Sequence, residues 1–186
     1  SVFSDTLHVP NQVYVVNTAN AASASATPLN ISGATVAAFS PDALKGFIVG
    51  GSAASSLYVY SSFQALQGPF PLQGPGKAIV FSPNGAFAFV AQASAGAGAN
   101  LTAYATCNNQ VAAPSLALPS DPILMKVLPN LHIDGSASQG NLIPDGVHIL
   151  VLDSTGFDVI TSAISPPATG TLCPQGLSFA PVQRIE

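Results

Sequence analysis

The chain has 186 residues, of which 48% are hydrophobic and only 6% are charged. Four Lys and Arg against eight Asp and Glu give a net charge of -4 with the cations scattered singly, which excludes a nucleic-acid partner. Gly, Pro, Asn or Ser interrupts every apolar run well short of the roughly 20 residues that a membrane-spanning helix needs. The 16 Gly and 16 Pro instead favour short strands and turns, in a chain long enough for one domain with its own core.

In chain order, Gln12-Val13-Tyr14-Val15-Val16 reads as a strand, a small-residue loop covers 19–26, and Thr27-Pro28-Leu29-Asn30-Ile31 reads as an outer strand. Phe39-Ser40-Pro41-Asp42 then precedes the apolar run Gly46-Phe47-Ile48-Val49. The same pattern returns as Phe81-Ser82-Pro83-Asn84-Gly85 before Phe87-Ala88-Phe89-Val90. Pro presets its own φ, and Asn and Gly accept the left-handed region, so each segment predicts strand, tight turn, strand. Val127-Leu128-Pro129-Asn130 is a degraded third copy, with an insertion over 131–140. Ile143-Pro144-Asp145-Gly146 repeats the turn before a second strand at 147–152, and Phe179-Ala180-Pro181 begins a fourth copy.

Third strands follow at 57–60, 101–104 and 157–160, and Pro-flanked fourth strands at 68–72, 115–118 and 169–172. The prolines at 41, 83, 129 and 181 set a period of about 40–50 residues, the size of a four-stranded propeller blade. The expectation is an all-β propeller of four-stranded antiparallel blades forming a single domain, 1–186. Its blade parts are 1–32 with 175–186, 33–74, 75–121 and 122–174. Gly176-Leu177-Ser178-Phe179 is expected to supply the first strand that the N-terminal unit lacks. That pairing closes four blades through the shared chain ends, leaving no open edge; the alternative is part of a larger ring.

The Phe-Ser-Pro-Asp/Asn units at 39–49 and 81–90, the turn and strand at 143–151, and Val13-Tyr14-Val15-Val16-Asn17 resemble the repeats of bacterial surface-layer-type YVTN propellers, relatives of the WD-repeat and lactonase-type propellers. The resemblance covers most of the chain and implies an exported, cell-surface protein. The insertion and the small number of units depart from the family pattern. A lactonase-type propeller would place metal-binding Glu, Asn and Asp round its axis, and this chain has one Glu, Glu186.

The chemistry-bearing residues are sparse. No Gly-x-Ser-x-Gly elbow, HExxH or Walker loop is present, so no catalytic, cofactor or metal residues are assigned. Asp134, Ser136 and Ser138 make only a poor calcium loop, with one carboxylate. His148 reads as a hydrogen-bonded residue of a strand, and Asp153 and Asp158 as caps of a Ser-Thr-Gly turn. Cys107 and Cys173, near the ends of neighbouring units, are a candidate disulfide. Asn30 and Asn100 fit the N-glycosylation pattern. Asp42, Asn84, Asp121 and Asp145, at strand connections, are candidate ligand residues at a ring axis.

No signal peptide opens the chain, and its start at Ser1 reads as a processed product. These features favour a non-enzymatic, exported structural or binding module at the bacterial cell surface. Its partners would be proteins or copies of itself, because little charge opposes association of its Ala/Ser/Gly surfaces, with glycans at the two sequons. Two alternatives stand beside it: a propeller enzyme or ligand-binding propeller of lactonase type with a site at the axis, and a fragment of a longer surface receptor.

Overall fold

Ser40 and Ser82 build the same turn twice. Ser40 Oγ donates to Asp42 Oδ1 at 2.5 Å and accepts from the Lys45 amide at 3.0 Å. Ser82 Oγ donates to Asn84 Oδ1 at 2.7 Å and accepts from the Phe87 amide at 3.0 Å. Asp42 and Asn84 also cap the amides of Leu44 and Ala86. The fourth turn residue takes positive φ, 57° at Ala43 and 73° at Gly85. Repetition in the sequence is thus repetition of one hydrogen-bonded hairpin.

These hairpins organise a nearly all-β computed structural model, described for residues 12–16, 26–96, 98–133, 142–165, 173 and 176–185. β1 (Gln12–Val16) and β2 (Ala26–Ser32) form a two-stranded sheet. β3 (Val36–Phe39), β4 (Lys45–Gly50), β5 (Ser56–Ser61) and β6 (Gln67–Pro71) form a four-stranded meander, the first blade, with one 3₁₀ turn at Ser52–Ala54. The second blade is β7 (Gly76–Phe81), β8 (Phe87–Gln92) and β9 (Asn100–Ala105), with β10 (Gln110–Val111) and β11 (Leu116–Ala117) both paired to β9. The third is β12 (Leu124–Ile133), β13 (Leu142–Leu152) and β14 (Phe157–Ser165), with β15 (Gly176–Phe179) and β16 (Gln183–Ile185) both paired to β14. In these two blades the outer strand is broken into two pieces on one neighbour.

β3 lies beside β7, and β7 beside β12, so the first strands of successive blades are neighbours and the sheets stack face to face. Phe47, Val49, Leu57 and Val59 of the first blade pack on Ile79, Ala88, Val90 and Tyr104 of the second. Phe47 meets Phe81 edge-on, with centroids 5.3 Å apart. The opposite face of the second blade, with Phe87, Phe89, Leu101 and Ala103, packs on Met125, Val147, Ile149, Val151 and Ile160 of the third. A blade covered on both sides needs apolar residues at successive positions, and β8 and β9 are buried along their whole length.

Two expectations are corrected. Gly176–Phe179 does not join the N-terminal strands: it pairs with β14, Ser162 opposite Phe179 through Ser165 opposite Gly176. It is an outer strand, because β14 runs to Ser165 and leaves an edge that this segment fills. Ile143-Pro144-Asp145-Gly146 is not a turn. The insertion lengthens the hairpin, so Leu131 faces Pro144, His132 faces Ile143 and Ile133 faces Leu142. Asp145 falls at the register shift, between Gly146 opposite Asn130 and Pro144 opposite Leu131. The expected strand at 169–172 and the loop tip at 134–140 lie outside the described residues.

Phe89 has no exposed surface between the second and third blades, and its ring lies 6.4 Å from that of Phe179. Phe89→Ala is expected to cost about 3–5 kcal/mol, read as a lowered urea midpoint with an unchanged slope.

Candidate functional site

The four candidate axial residues do not converge. Asp42 and Asn84 belong to the β3–β4 and β7–β8 turns, which are adjacent: a Cβ on Gly85 would stand 3.4 Å from Pro41 Cδ. Asp121 precedes β12 and binds Ser94 of the β8–β9 connection, at the opposite end of the sheets. Asp145 is a strand residue. Asp42 is spent on its turn, where the Ser40 hydroxyl, then the Leu44 amide, hold its carboxyl below the usual range.

The turn end is tied across blades. Lys45 Nζ donates to the Thr106 carbonyl and to Asn109 Oδ1 at 2.9 Å, and Asn109 Nδ2 donates to Gln67 Oε1 at 2.7 Å. Partial burial pushes the Lys45 ammonium down, against the opposing pull of Asp42. Cys107 and Cys173 are joined as a disulfide, Cα atoms 5.7 Å apart, linking the β9–β10 turn to the segment between β14 and β15. A hollow of about 260 Å³ beside it is lined by Asp42, Lys45, Phe63 and Thr106. Its ammonium is already engaged, so it offers little free chemistry.

The opposite end is more open to a ligand. A cleft of about 430 Å³ is lined by Lys77, Asp121, Pro122, Ile123 and Ser154. Lys77 comes from β7, Asp121 to Ile123 from the connection into β12, and Ser154 from the β13–β14 turn. Three elements therefore contribute Lys77, Asp121 and Ser154 to the lining of one concave place. The Ser94 amide and hydroxyl each donate to Asp121 Oδ1 at 2.8 Å. The amide first, then the hydroxyl, and then the charge of Lys77 lower the Asp121 carboxyl from its ordinary value. Asp121 is thus an anion and hydrogen-bond acceptor at neutral pH, while Lys77 can meet negative charge on a ligand.

Below the cleft lies a charged network that the sequence did not announce. Asp153 Oδ1 caps the amides of Thr155 and Gly156, at 2.7 and 3.0 Å. Ser120, in the connection before Asp121, donates to Asp153 Oδ2. Arg184 Nη1 reaches Asp153 Oδ2 at 2.5 Å and Asp158 Oδ1 at 2.9 Å, and Nη2 reaches Asp153 Oδ1 at 2.8 Å. The Arg184 guanidinium, then the Ser120 hydroxyl, hold Asp153 far below the usual carboxylate range. Asp153 is the turn cap that was expected. Asp158 is not: it is a fully buried strand residue paired with Arg184. The available signal was a carboxylate inside Phe157-Asp158-Val159-Ile160, since a buried charge requires a counter-charge. The network fixes the β13–β14 turn, and with it Ser154, against the start of β12.

Asn30 is exposed in β2, whereas Asn100 is 6% exposed with its Nδ2 buried. Asn100 is therefore corrected as a glycan acceptor, because the folded sheet leaves that nitrogen no room. His148 is half-buried with Nδ1 3.0 Å from Thr161 Oγ1, the strand role expected for it. Among the described residues no three His, Cys, Asp or Glu gather as metal ligands, and no helix is long and apolar enough to cross a membrane.

No family model and no curated protein matches the sequence. Solved structures do match. A candidate 6-phosphogluconolactonase from Bacteroides uniformis superposes with a TM-score of 0.51 at 14% identity, over 91% of this chain and 52% of its own. A second, from Bacteroides fragilis, superposes with a TM-score of 0.52 at 11% identity, over 92% of this chain and 52% of its own. The chain thus has a propeller-type fold and spans about half the length of these structures. The expectation of a non-enzymatic chain is corrected here: the propellers it resembles are described as lactonases, and the enzyme-type alternative goes forward in its place.

Asp153 carries stability that depends on ionisation. Its carboxyl is depressed in the folded state, so that stability is fully present above the ordinary carboxylate pKa of about 3.9 and is lost as pH falls toward the folded value. Asp153→Asn is expected to lower Tm at pH 7 and to flatten the loss of Tm below about pH 4, measured by calorimetry across pH.

Proposed function

We propose that this chain contributes to a lactonase-type propeller that binds a polyhydroxylated, anionic sugar lactone in the cleft of Lys77, Asp121 and Ser154. The observation that supports the reading is that these three residues, from two adjacent blades and the connection between them, line one cleft. In lactone hydrolysis a water oxygen adds to the acyl carbon and the ring C–O bond breaks. One proton passes to the ring oxygen, and the product acid releases another. Lys77 is assigned to the negative charge of the ligand or of the developing oxyanion, Asp121 to the ligand hydroxyls or the incoming water, and Ser154 to a further hydroxyl. The lowered basicity of Asp121 suits it to hydrogen bonding more than to proton abstraction at neutral pH.

We read the chain as exported, on the strength of its disulfide, since such bonds persist in oxidising compartments. The repeated Ser-Pro turn is compatible with a surface-layer-type propeller within that class.

Proton release from glucono-δ-lactone and its 6-phosphate by the purified chain tests the reading. Turnover above the spontaneous rate is expected. Lys77→Ala should lose about tenfold or more in kcat/KM, most of it on the phosphorylated substrate, as for loss of a hydrogen bond to a charged group. Asp121 should support activity down to pH values below the ordinary carboxylate range, and Ser94→Ala should move that acid limb upward. Spontaneous rates only, or wild-type kinetics in Lys77→Ala and Asp121→Asn, would overturn it.

A further inference from the structure

The β7–β8 turn contains Asn84-Gly85, the one place in the sequence where Gly follows Asn. That pair has a chemistry of its own. The backbone nitrogen of the second residue attacks the side-chain carbonyl carbon of the Asn. The nitrogen loses its proton, a five-membered succinimide closes, and ammonia leaves. Water then opens the ring at one carbonyl or the other. The product is aspartate, or isoaspartate with the main chain routed through the side chain. In sum one amide and one water give one acid and one ammonia. A side chain after the Asn would shield the attacking nitrogen, and glycine has none.

Asn84 is exposed, so water reaches it. Its Oδ1 accepts from the Ser82 hydroxyl at 2.7 Å and from the Ala86 amide at 3.1 Å. These donors sit on the oxygen that gathers negative charge as the carbon is attacked. What the fold restrains is the nucleophile. The Gly85 amide donates to the Ser82 carbonyl at 2.8 Å and must leave it before its nitrogen can attack. The other side of the same glycine is held by the second blade's third strand. The Thr106 hydroxyl is shared between the carbonyls of Gly85 and Ala86, at 2.6 and 3.1 Å.

The twin turn in the first blade shows what each product does. There Asp42 accepts from the Ser40 hydroxyl and caps the Leu44 amide, the same contacts that Asn84 makes. An aspartate at position 84 therefore keeps the hairpin. Isoaspartate adds a main-chain carbon inside the turn. The paired bonds between Ser82 and Phe87, at 2.9 and 3.0 Å, lose their register. β8 begins at Phe87 and is buried along its whole length, so the disturbance reaches the packed core.

We infer that Asn84 is a site of spontaneous deamidation whose rate is set by opening of the Gly85–Ser82 hydrogen bond, and whose two products keep or loosen the β7–β8 hairpin. The inference does not depend on the lactonase reading.

Incubation of the 186-residue chain in mildly alkaline buffer, followed by peptide mapping that separates aspartate from isoaspartate, is the test. Asn84 is expected to convert before every other Asn, and more slowly in the folded chain than in guanidinium, because a local opening must come first. Thr106→Val should speed conversion in the folded chain by about fivefold, the worth of one hydrogen bond, and leave the rate in guanidinium unchanged. Asn84→Asp should keep the wild-type Tm, whereas the isoaspartate fraction of aged protein should melt lower. An Asn84 that stays intact in the folded chain would overturn the site. Equal rates folded and unfolded, or a wild-type folded rate in Thr106→Val, would overturn the gating. A lowered Tm in Asn84→Asp would overturn the division between the two products.

Discussion

A β-sheet has two faces, and in this chain both are apolar. Phe47, Val49, Leu57 and Val59 on the first blade and Phe89, Leu101 and Ala103 on the second find no cover within their own sheets. They can be buried only against a neighbouring sheet, at a gain of roughly 1.5–3 kcal/mol for each large side chain. With 6% of residues charged, ion pairs add little to this burial. The blade-to-blade interface is thus the core, and the order of the blades follows from it.

Many of the polar contacts lie at the ends of the sheets, where strands stop and backbone groups need partners. At one end the Ser-Pro turns, the Lys45 link to Thr106 and the disulfide tie neighbouring blades. At the other, Gln92 Oε1 accepts from the Gln73 and Gly74 amides in the connection between the first two blades, while Asp153 and Arg184 anchor the third. The Lys77–Asp121–Ser154 cleft opens at this second end because the connections between blades and the β8–β9 and β13–β14 loops all arrive there. Rigid sheets position the loops, and the loops carry the polar groups.

Much of this was legible in the residues. Phe39-Ser40-Pro41-Asp42 and Phe81-Ser82-Pro83-Asn84 marked hairpins because the turn chemistry is local, and the strands that follow are continuous apolar runs. The third unit was misread where its local signals are ambiguous. Ile143-Pro144-Asp145-Gly146 has the composition of a turn, yet a lengthened hairpin recruits it as strand. Gly176–Phe179 resembles a first strand in sequence, and its outer position depends on how far β14 extends. Arg184, Asp153 and Asp158 are scattered in the sequence, and only the pairing of β16 with β14 unites them. The cleft was half visible: Asp121 was singled out, but its neighbours Lys77 and Ser154 come from separate elements.

The central claim is that the three described blades hold together as one cooperative unit through their faces. Native-state hydrogen exchange of the β4, β8, β9 and β13 amides tests this most directly, because local and global opening are distinguished by their free energies. A common protection free energy for these strands, equal to that of global unfolding, is predicted. Protection that differs from blade to blade, with each sheet opening alone, would contradict the account.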